Sequence, residues 1–138
     1  MSRTPATLTF TVPEEVLNGL EALASSRHEQ SHAVLFRRGE PARGVYLIRQ
    51  GSVVLSLDSR RHRRAGRGWI LGLPATFSGE PYSLTAIAAE SCELLFIPRE
   101  KVIEFVRLNP ALALPLLEVL ASEVSAVRRM ANGNVTVH

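Results

Sequence analysis

The chain has 138 residues, a length that suits one domain built around one hydrophobic core. Hydrophobic residues make up 46% of it, an ordinary share for a globular protein, and the net charge is +3. Its unbroken apolar runs are shorter than the roughly 20 residues of a membrane span, and we expect neither a signal peptide nor a membrane partner. The single cysteine, Cys92, excludes an internal disulfide, and the cytoplasm is the expected compartment.

Residues 1–12 are predicted to form an irregular N-terminal arm, and residues 13–131 to form the domain. Pro13 is expected to begin a short amphipathic helix. The apolar residues at helical spacing in this segment are Val16, Leu17, Leu20 and Leu23.

From about Arg27 to Ile97, short apolar segments alternate with turns rich in Gly, Pro and charged residues, which is typical of a compact all-β unit. The predicted strands are His32–Phe36, Val45–Gln50, Ser52–Asp58, Trp69–Leu71, Ser83–Ala89 and Glu93–Ile97. Gly51 is predicted to join two of these strands in a tight hairpin, because such a turn needs positive φ.

The excess positive charge is concentrated in one segment, at Arg60, Arg61, Arg63, Arg64 and Arg67. Such a cluster is either a phosphate-contacting patch or the solvated tip of a hairpin. No aromatic residue alternates with these arginines, so bases would find no stacking platform. We favour the solvated tip and expect no direct nucleic-acid contact from this chain.

The segment Leu71–Ala86 has the shape of an anion-binding loop. Gly72 follows an apolar residue, Pro74 begins a short turn, and Ser78–Pro81 forms a second turn. Such turns present backbone N–H groups to an anion. However, the segment contains no Lys or Arg, although a buried anion needs a paired cation or several donors.

After Pro98 the pattern becomes helical. One helix is predicted over Arg99–Arg107. Asn109 is predicted to cap a second helix that has Pro110 at its first position and runs to about Met130.

Pro115 lies inside this second helix and is expected to remove one backbone hydrogen bond and bend the first turns. Asn132-Gly133 is expected to stop the helix, and residues 132–138 to form a frayed tail.

The second helix carries two apolar faces. One face is a seam at alternating spacings of three and four, formed by Leu117, Leu120, Val124 and Val127. The other face contains Leu112, Leu116 and Val119. The seam either packs on the β unit or pairs with the same helix of a second subunit. We favour the homodimer, because the other face can make the intramolecular contact.

Three pieces of sequence make this order of elements recognisable: LFRRGEP at 35–41, GVYLIRQG at 44–51 and CELLFIPRE at 92–100. The chain resembles the cyclic-nucleotide-binding domain, in particular the sensor halves of bacterial regulators of the catabolite-activator/Fnr type. The resemblance covers about Val12 to Met130. It implies an α+β fold, in which a double-stranded β-helix (a β-roll of the jelly-roll type) is flanked by a short N-terminal helix and two C-terminal helices.

In this family the ligand binds a cassette written roughly F-G-E-L-A-L-L-x-x-x-P-R-S-A-T-V. The resemblance places the corresponding positions at Leu71, Gly72, Leu73, Pro74, Tyr82, Ser83, Leu84 and Thr85. Leu73 stands where the family has the Glu that bonds the ribose hydroxyl. Tyr82 stands where it has the Arg that pairs with the cyclic phosphate.

These two departures predict no ordinary cyclic AMP or cyclic GMP site, and we expect no cofactor. Losing the Arg removes hydrogen bonds that contribute about 1.5–3 kcal/mol each. Burying a ribose hydroxyl against Leu73 would cost about 1–3 kcal/mol more. Pro74 also lacks an N–H. Together these losses predict an affinity lower by at least about a hundredfold.

The remaining pocket is expected to be apolar with a few hydroxyls. Its predicted lining is Leu71, Leu73, Tyr82 and Leu84, with Ser122 or Ser125 from the long helix. It either takes a different, less anionic small ligand or is filled by side chains.

An enzyme or a metal site is not expected. His28 and His32 have the spacing of a helical metal pair, but their segment has turn and strand character. Cys92 is the one thiol, and Glu80 and Glu90 lack supporting partners for acid/base chemistry.

The leading hypothesis is a dimeric regulatory domain with a degenerate cassette that signals through its C-terminal helix. One alternative is a genuine cyclic-nucleotide receptor that neutralises the phosphate with Arg67 or with an arginine of a partner subunit. Another is a protein-interaction module without a small ligand. Regulators of this type carry a helix-turn-helix after the long helix. The chain is therefore expected to be either a fragment of a longer regulator or a stand-alone sensor.

Overall fold

The structure is a computed structural model that describes residues 14–132. The predicted arm at 1–12, the helix start at Pro13, and the tail from Gly133 onward lie outside the described residues. The elements run α1 Glu14–Glu21, β1 Ser25–Glu29, β2 Val34–Phe36, β3 Gly44–Gln50, β4 Val53–Ser56, β5 His62–Ala65, β6 Ile70–Leu71, α2 Leu73–Ser78, β7 Thr85–Ala88, β8 Cys92–Pro98, α3 Arg99–Leu108, a 3₁₀ turn Pro110–Leu112, and α4 Ala113–Ala131.

The strands form two antiparallel four-stranded sheets, with strand orders β1-β8-β3-β6 and β2-β7-β4-β5. In the first sheet Leu47 of β3 lies opposite Leu95 of β8, and in the second sheet Leu55 of β4 lies opposite Ala86 of β7. Helices precede and follow this β-roll in the chain. The predicted α+β fold, a β-roll flanked by a short N-terminal helix and C-terminal helices, is thus confirmed.

Strand β3 contributes side chains to two hydrophobic clusters, one on each face of the first sheet. Its side chains alternate in direction, as those of any strand do, and both directions are buried. Tyr46 and Ile48 point into a first cluster together with residues of the second sheet, such as Leu55 and Ala86. Val45 and Leu47 point into a second cluster beneath the helices. The near-continuous apolar run of this strand follows from burial on both faces.

The helices close the second cluster. Val16 and Leu20 of α1 are fully buried there, as their helical spacing predicted. Val102 and Phe105 of α3 pack into the same cluster. Leu116 and Val119 of α4 join them, so the face that we expected to contact the β unit does so.

Two strands, β1 and β5, were not predicted. Each is an edge strand of its sheet, with the polar sequences SSRHE and HRRA. Strands β4 and β5 form a hairpin, and Arg60 and Arg61 lie in its turn, as predicted. Arg63 and Arg64 lie in β5 itself, paired with β4 through Leu55–Arg63 and Val54–Arg64.

The start of the last helix also differs from the prediction. Asn109 does not cap it, because its side-chain Nδ2 instead donates to Phe105 O at 2.8 Å. The chain passes through the 3₁₀ turn before α4 begins at Ala113. Pro115 is consequently in the first turn of α4, where a helix has no intrahelical partner for an N–H, so Pro115 removes no hydrogen bond from α4.

One helix in the described part of the chain, Pro110–Ala131, has the length and mean hydropathy of a membrane span, at 22 residues and 1.5. Core helices of soluble proteins share these properties. A single helix of this kind is weak evidence for a membrane, and this one places Leu116, Val119 and Met130 in the core of the domain.

Candidate functional site

The cassette segment leaves the first sheet at β6 and enters α2 through Gly72. Gly72 has φ of 89°, a conformation that favours glycine, and a Cβ here would lie 2.9 Å from Tyr82 Cε1. The segment predicted as a Pro-initiated turn is instead the six-residue helix α2, with Pro74 in its first turn. It ends at Gly79, whose N–H donates to Ala75 O at 2.9 Å.

The two leucines of the cassette do not face a ligand cavity. Leu71 is 1% exposed and packs in the first cluster. Leu73, at 0% exposure, packs in the second cluster beneath the helices. The expectation that both line the pocket is therefore wrong. A glutamate at position 73 would bury its carboxylate among apolar side chains if the backbone stayed as it is.

Tyr82 stands at the position of the family's phosphate-binding Arg, but its side chain makes contacts within the protein. Its ring stacks on Phe36 with centroids 3.9 Å apart, and its hydroxyl donates to Gly44 O at 2.7 Å. The hydroxyl oxygen of Tyr82 also accepts hydrogen bonds from the N–H groups of Arg43 and Gly44, at 3.2 and 3.3 Å. Burial raises the pKa of Tyr82. The side chain thus holds the loop before β3 in place.

The hydroxyls retained from the family pattern have different surroundings. Ser83 is exposed at the edge of the cassette. Thr85 lies in β7, where its Oγ1 accepts the backbone N–H of Arg38 at 2.9 Å. The Thr85 hydroxyl therefore already has a partner within the protein.

Behind the cassette lies an inner cavity of about 10 Å³. Its lining is Phe36, Leu55, Gly72, Ala75, Tyr82, Ser83, Leu84 and Glu123. Of the predicted pocket residues, Tyr82 and Leu84 are therefore present. The lining residues that the structure describes include no Lys or Arg, and the space suits about one water molecule rather than a nucleotide.

Glu123 is the residue that the sequence analysis missed. It belongs to α4, is 5% exposed, and its Oε2 accepts the N–H of Gly72 at 3.3 Å. Its Oε1 is buried without a partner. Burial raises the pKa of this carboxyl to about 8, although the N–H groups of Gly72 and Leu73 favour its charged form.

The serines that were expected to face the pocket do not line it. Ser122 donates to Glu118 O at 3.0 Å within the helix, and Ser125 is exposed. A signal for Glu123 was present in the helical spacing: it continues the buried face at intervals of three and four. The members of that face are Leu116, Val119, Glu123, Ala126 and Met130.

A larger outer groove of about 380 Å³ lies between α2, the turn that follows it, and α4. Its lining is Pro74, Ala75, Ser78, Glu80, Pro81, Ser83, Val124, Val127, Arg128 and Ala131. Pro74 and Ser83 thus face this groove. Neither the position of this roomier space between α2 and α4 nor its border at Arg128 was predicted from the sequence.

The seam predicted on α4 divides into two parts. Leu117 and Val124 are 56% and 37% exposed. Leu120 packs against the second cluster and Val127 against the first, each partly buried. The first pair is available to a partner, and the second pair contributes to the domain core.

The basic segment is distributed over several surfaces. Arg61 donates to Ala131 O at 2.8 Å and is paired with Asp58. Arg63 lies over the ring of Trp69, 5.7 Å from its centroid. Arg67 lines a polar groove with Arg49 and other residues of the first sheet, away from the residues that line the inner cavity.

The side chains considered for catalysis or metal binding have other partners. His28 Nδ1 lies 2.7 Å from Glu93 Oε2 across the β1–β8 pair. Cys92 is 1% exposed, and its Sγ donates to Ser52 O and to Glu90 O. Between Glu14 and Asn132, no group of three or more His, Cys, Asp or Glu side chains has the arrangement of a metal site.

Comparisons with solved structures give the same fold. The catabolite activator protein of Thermus thermophilus is 25% identical, with a TM-score of 0.66, over 90% of this chain and 58% of that one. The sensor domain of the transcriptional regulator DNR from Pseudomonas aeruginosa is 23% identical, with a TM-score of 0.66, over 85% of this chain and 86% of that one. The c-di-GMP responsive global regulator CLP of Xanthomonas campestris is 19% identical, with a TM-score of 0.71, over 88% of this chain and 62% of that one.

Among curated proteins, one from Rhodopseudomonas palustris that is described as a potassium channel is 29% identical over 101 residues. That match covers 71% of this chain but 24% of the relative, so the chain spans about a quarter of it. The sequence profile of the family described as "Cyclic nucleotide-binding domain" matches residues 26–109, more than half of the chain. The chain therefore belongs to the cyclic nucleotide-binding domain family, and its structural neighbours are regulators of the Crp type.

Proposed function

We propose that this domain is a cytoplasmic regulatory sensor of the Crp/Fnr type whose cassette no longer accepts a cyclic nucleotide. The observation that carries the proposal is the inner cavity. It has room for about one water molecule, and its described lining holds the carboxyl of Glu123 and no Lys or Arg. A phosphate placed there would meet an acid rather than a cation.

The energetics of phosphate binding support this reading. A buried phosphate is stabilised by charge-assisted hydrogen bonds of about 1.5–3 kcal/mol each, and Tyr82 cannot supply them because its hydroxyl is engaged with Gly44. The N–H of Gly72 is also engaged, with Glu123. Leu73 faces the second cluster and offers nothing to a ribose.

The signalling route in this proposal is α4. The helix contacts the cassette through Glu123 and borders the outer groove through Val124 and Arg128. A small, largely apolar ligand in that groove would touch α2 and α4 at once. It could shift α4 only by as much as its affinity differs between the two helix positions. The exposed part of the seam would then pass the change to a second copy of the chain.

Isothermal titration with cyclic AMP and cyclic GMP tests the proposal. We expect no binding in the micromolar range for either nucleotide at neutral pH. A dissociation constant of micromolar size would contradict the assignment of a degenerate cassette. Binding of an uncharged apolar probe with loss of affinity in Val124→Arg would place ligand in the outer groove, and Leu117→Arg on the exposed seam is the matched control.

One observation favours a second candidate, a receptor with a non-standard phosphate contact. Arg128 borders the outer groove beside Pro74 and Ser83, whereas Arg67 lines a different groove. If a nucleotide does bind, this candidate predicts that Arg128→Ala abolishes the binding while Arg67→Ala leaves it unchanged. The reverse result would support the contact that the sequence alone suggested.

A further inference from the structure

Glu123 links two elements that are far apart in the chain. Its carboxyl crosses from α4 to the backbone of Gly72, 51 residues earlier, and accepts that N–H at 3.3 Å. The second carboxyl oxygen is buried with no partner among the described residues. A buried carboxylate that has only backbone N–H groups as partners is expensive, because the protein interior does not replace the hydration of the charge.

Among residues 14–132, the groups around Glu123 offer no compensating positive charge. Helix α2 contributes no titratable side chain, since its sequence is LPATFS, and β2 and β4 contribute Phe36 and Leu55 to the cavity. The segment before β7 contributes Tyr82, whose hydroxyl is bonded to Gly44. From α3, Arg99 donates to Thr76 O rather than to the carboxyl. The pKa of the carboxyl is therefore set by its burial, which raises it, and by the N–H groups of Gly72 and Leu73, which lower it.

We propose that Glu123 is a proton-dependent latch: its carboxyl occupies the Gly72 N–H from within the protein, and gain or loss of one proton sets how firmly α4 rests on the cassette. The latch rests on the proposed function in one respect, namely that α4 carries the signal. An anion that needed the Gly72 N–H would have to displace Glu123, so anion binding and the docked position of α4 exclude one another.

The direction of the pH effect follows from proton linkage. The docked carboxyl has a pKa of about 8, against 4.5 for the group in its ordinary state. Between these values the docked helix holds the proton and the undocked helix does not, so undocking releases a proton. The equilibrium constant for undocking should rise by nearly tenfold for each pH unit from about 5 to about 8, and then level off.

Two measurements on the chain without any added ligand test the latch. In ¹⁵N–¹H spectra, the Gly72 amide signal should titrate with a midpoint near 8, the value of the docked carboxyl, and should not titrate in Glu123→Gln. Hydrogen exchange of α4 amides, corrected for intrinsic rates, should lose nearly tenfold protection per pH unit in the wild type between about pH 5 and 8. In Glu123→Gln it should be independent of pH.

Glu118→Gln is the matched control, because it removes the same charge from an exposed position of the same helix. It should keep both wild-type responses. A Gly72 signal that does not titrate near 8, or an unchanged pH dependence in Glu123→Gln, overturns the latch. Since no nucleotide is present, either outcome leaves the titration with cyclic nucleotides to decide the proposed function separately.

Discussion

Tyr82 connects the cassette to the first sheet through one oxygen atom. That oxygen donates to Gly44 O and accepts two backbone N–H groups, from Arg43 and Gly44. A Cβ on Gly44 would come within 2.2 Å of Ile97 O, so the loop passes close to β8. The tyrosine thus fixes the backbone at Arg43 and Gly44, where no side chain larger than that of glycine fits at position 44.

We predict that Tyr82→Phe lowers the free energy of unfolding by about 1–3 kcal/mol, because it leaves buried backbone groups without a partner. Tyr46→Phe is the control. Its hydroxyl donates to Leu35 O at 3.5 Å, a long contact, and its loss should cost less than about 1 kcal/mol. Urea unfolding of both variants, with unchanged slopes, measures the difference. Equal losses in the two variants would contradict the role assigned to the Tyr82 oxygen.

Tyr82 and Glu123 differ in how far sequence reasoning could reach them. The position of Tyr82 in the cassette followed from its neighbours Pro81 and Ser83, which match the family pattern. Glu123 could not be recognised in that way, because a carboxylate on a helix is nearly always exposed and a single sequence does not show its burial. The helical spacing puts Glu123 in line with Val119 and Ala126, but only the docked helix shows that this line is buried.

At the scale of elements, the last turn of α4 is held by the turn that precedes β5. Arg61 donates to the carbonyl oxygens of Met130 and Ala131, which belong to the last turn of the helix. Its guanidinium also pairs with Asp58, and this pairing, with the N–H groups of Arg60 and Arg61, holds the pKa of Asp58 well below its usual range. The pairing therefore persists in mildly acidic solution.

We predict that Arg61→Ala frays the last turn of α4 and leaves the β-roll intact. Amides near Met130 should exchange severalfold faster, while those of β3 should not change. Arg60→Ala is the control, since Arg60 bonds Asp58 through its backbone N–H and not through its side chain. Faster exchange in both variants, or in neither, would show that the Arg61 side chain does not hold the helix end.

The elements that sequence reasoning missed share a physical cause. Strands β1 and β5 are edge strands whose side chains are mostly exposed, so neither apolar alternation nor a continuous apolar run is present. Helix α2 has only six residues and has a proline near its start, so its sequence resembles that of a loop turn more than that of a helix. The central strand β3 and the helices α1 and α3, which bury apolar residues, were found.

For the whole molecule, the two clusters bury one face of α4, and an apolar strip on another side of the helix stays exposed. Leu117 is 56% exposed and Val124 is 37% exposed on the side away from Leu116 and Val119. Exposed apolar residues in a row on a helix are typical of an interface. A second copy of the chain is the partner that the seam pattern favours.

We predict that Leu117→Glu converts a dimer into a monomer, so that the mass in light scattering falls from twice 15.1 kDa to 15.1 kDa. The variant should keep its circular dichroism, because Leu117 does not belong to either cluster. Leu108→Glu, which changes a leucine of 67% exposure at the end of α3, should remain dimeric. A wild-type chain that is already monomeric would instead favour a protein-interaction surface that awaits another partner.

The burial of Cys92 has a consequence for the chemistry that the whole molecule can undergo. Its sulfur is covered by the roll and donates to two carbonyl oxygens, and burial raises its pKa, so little thiolate is available. Since this is the single cysteine of the chain, peroxide has no reactive sulfhydryl to convert to a sulfenic acid or a crosslink between copies. No thiol-based redox response of this domain is therefore expected.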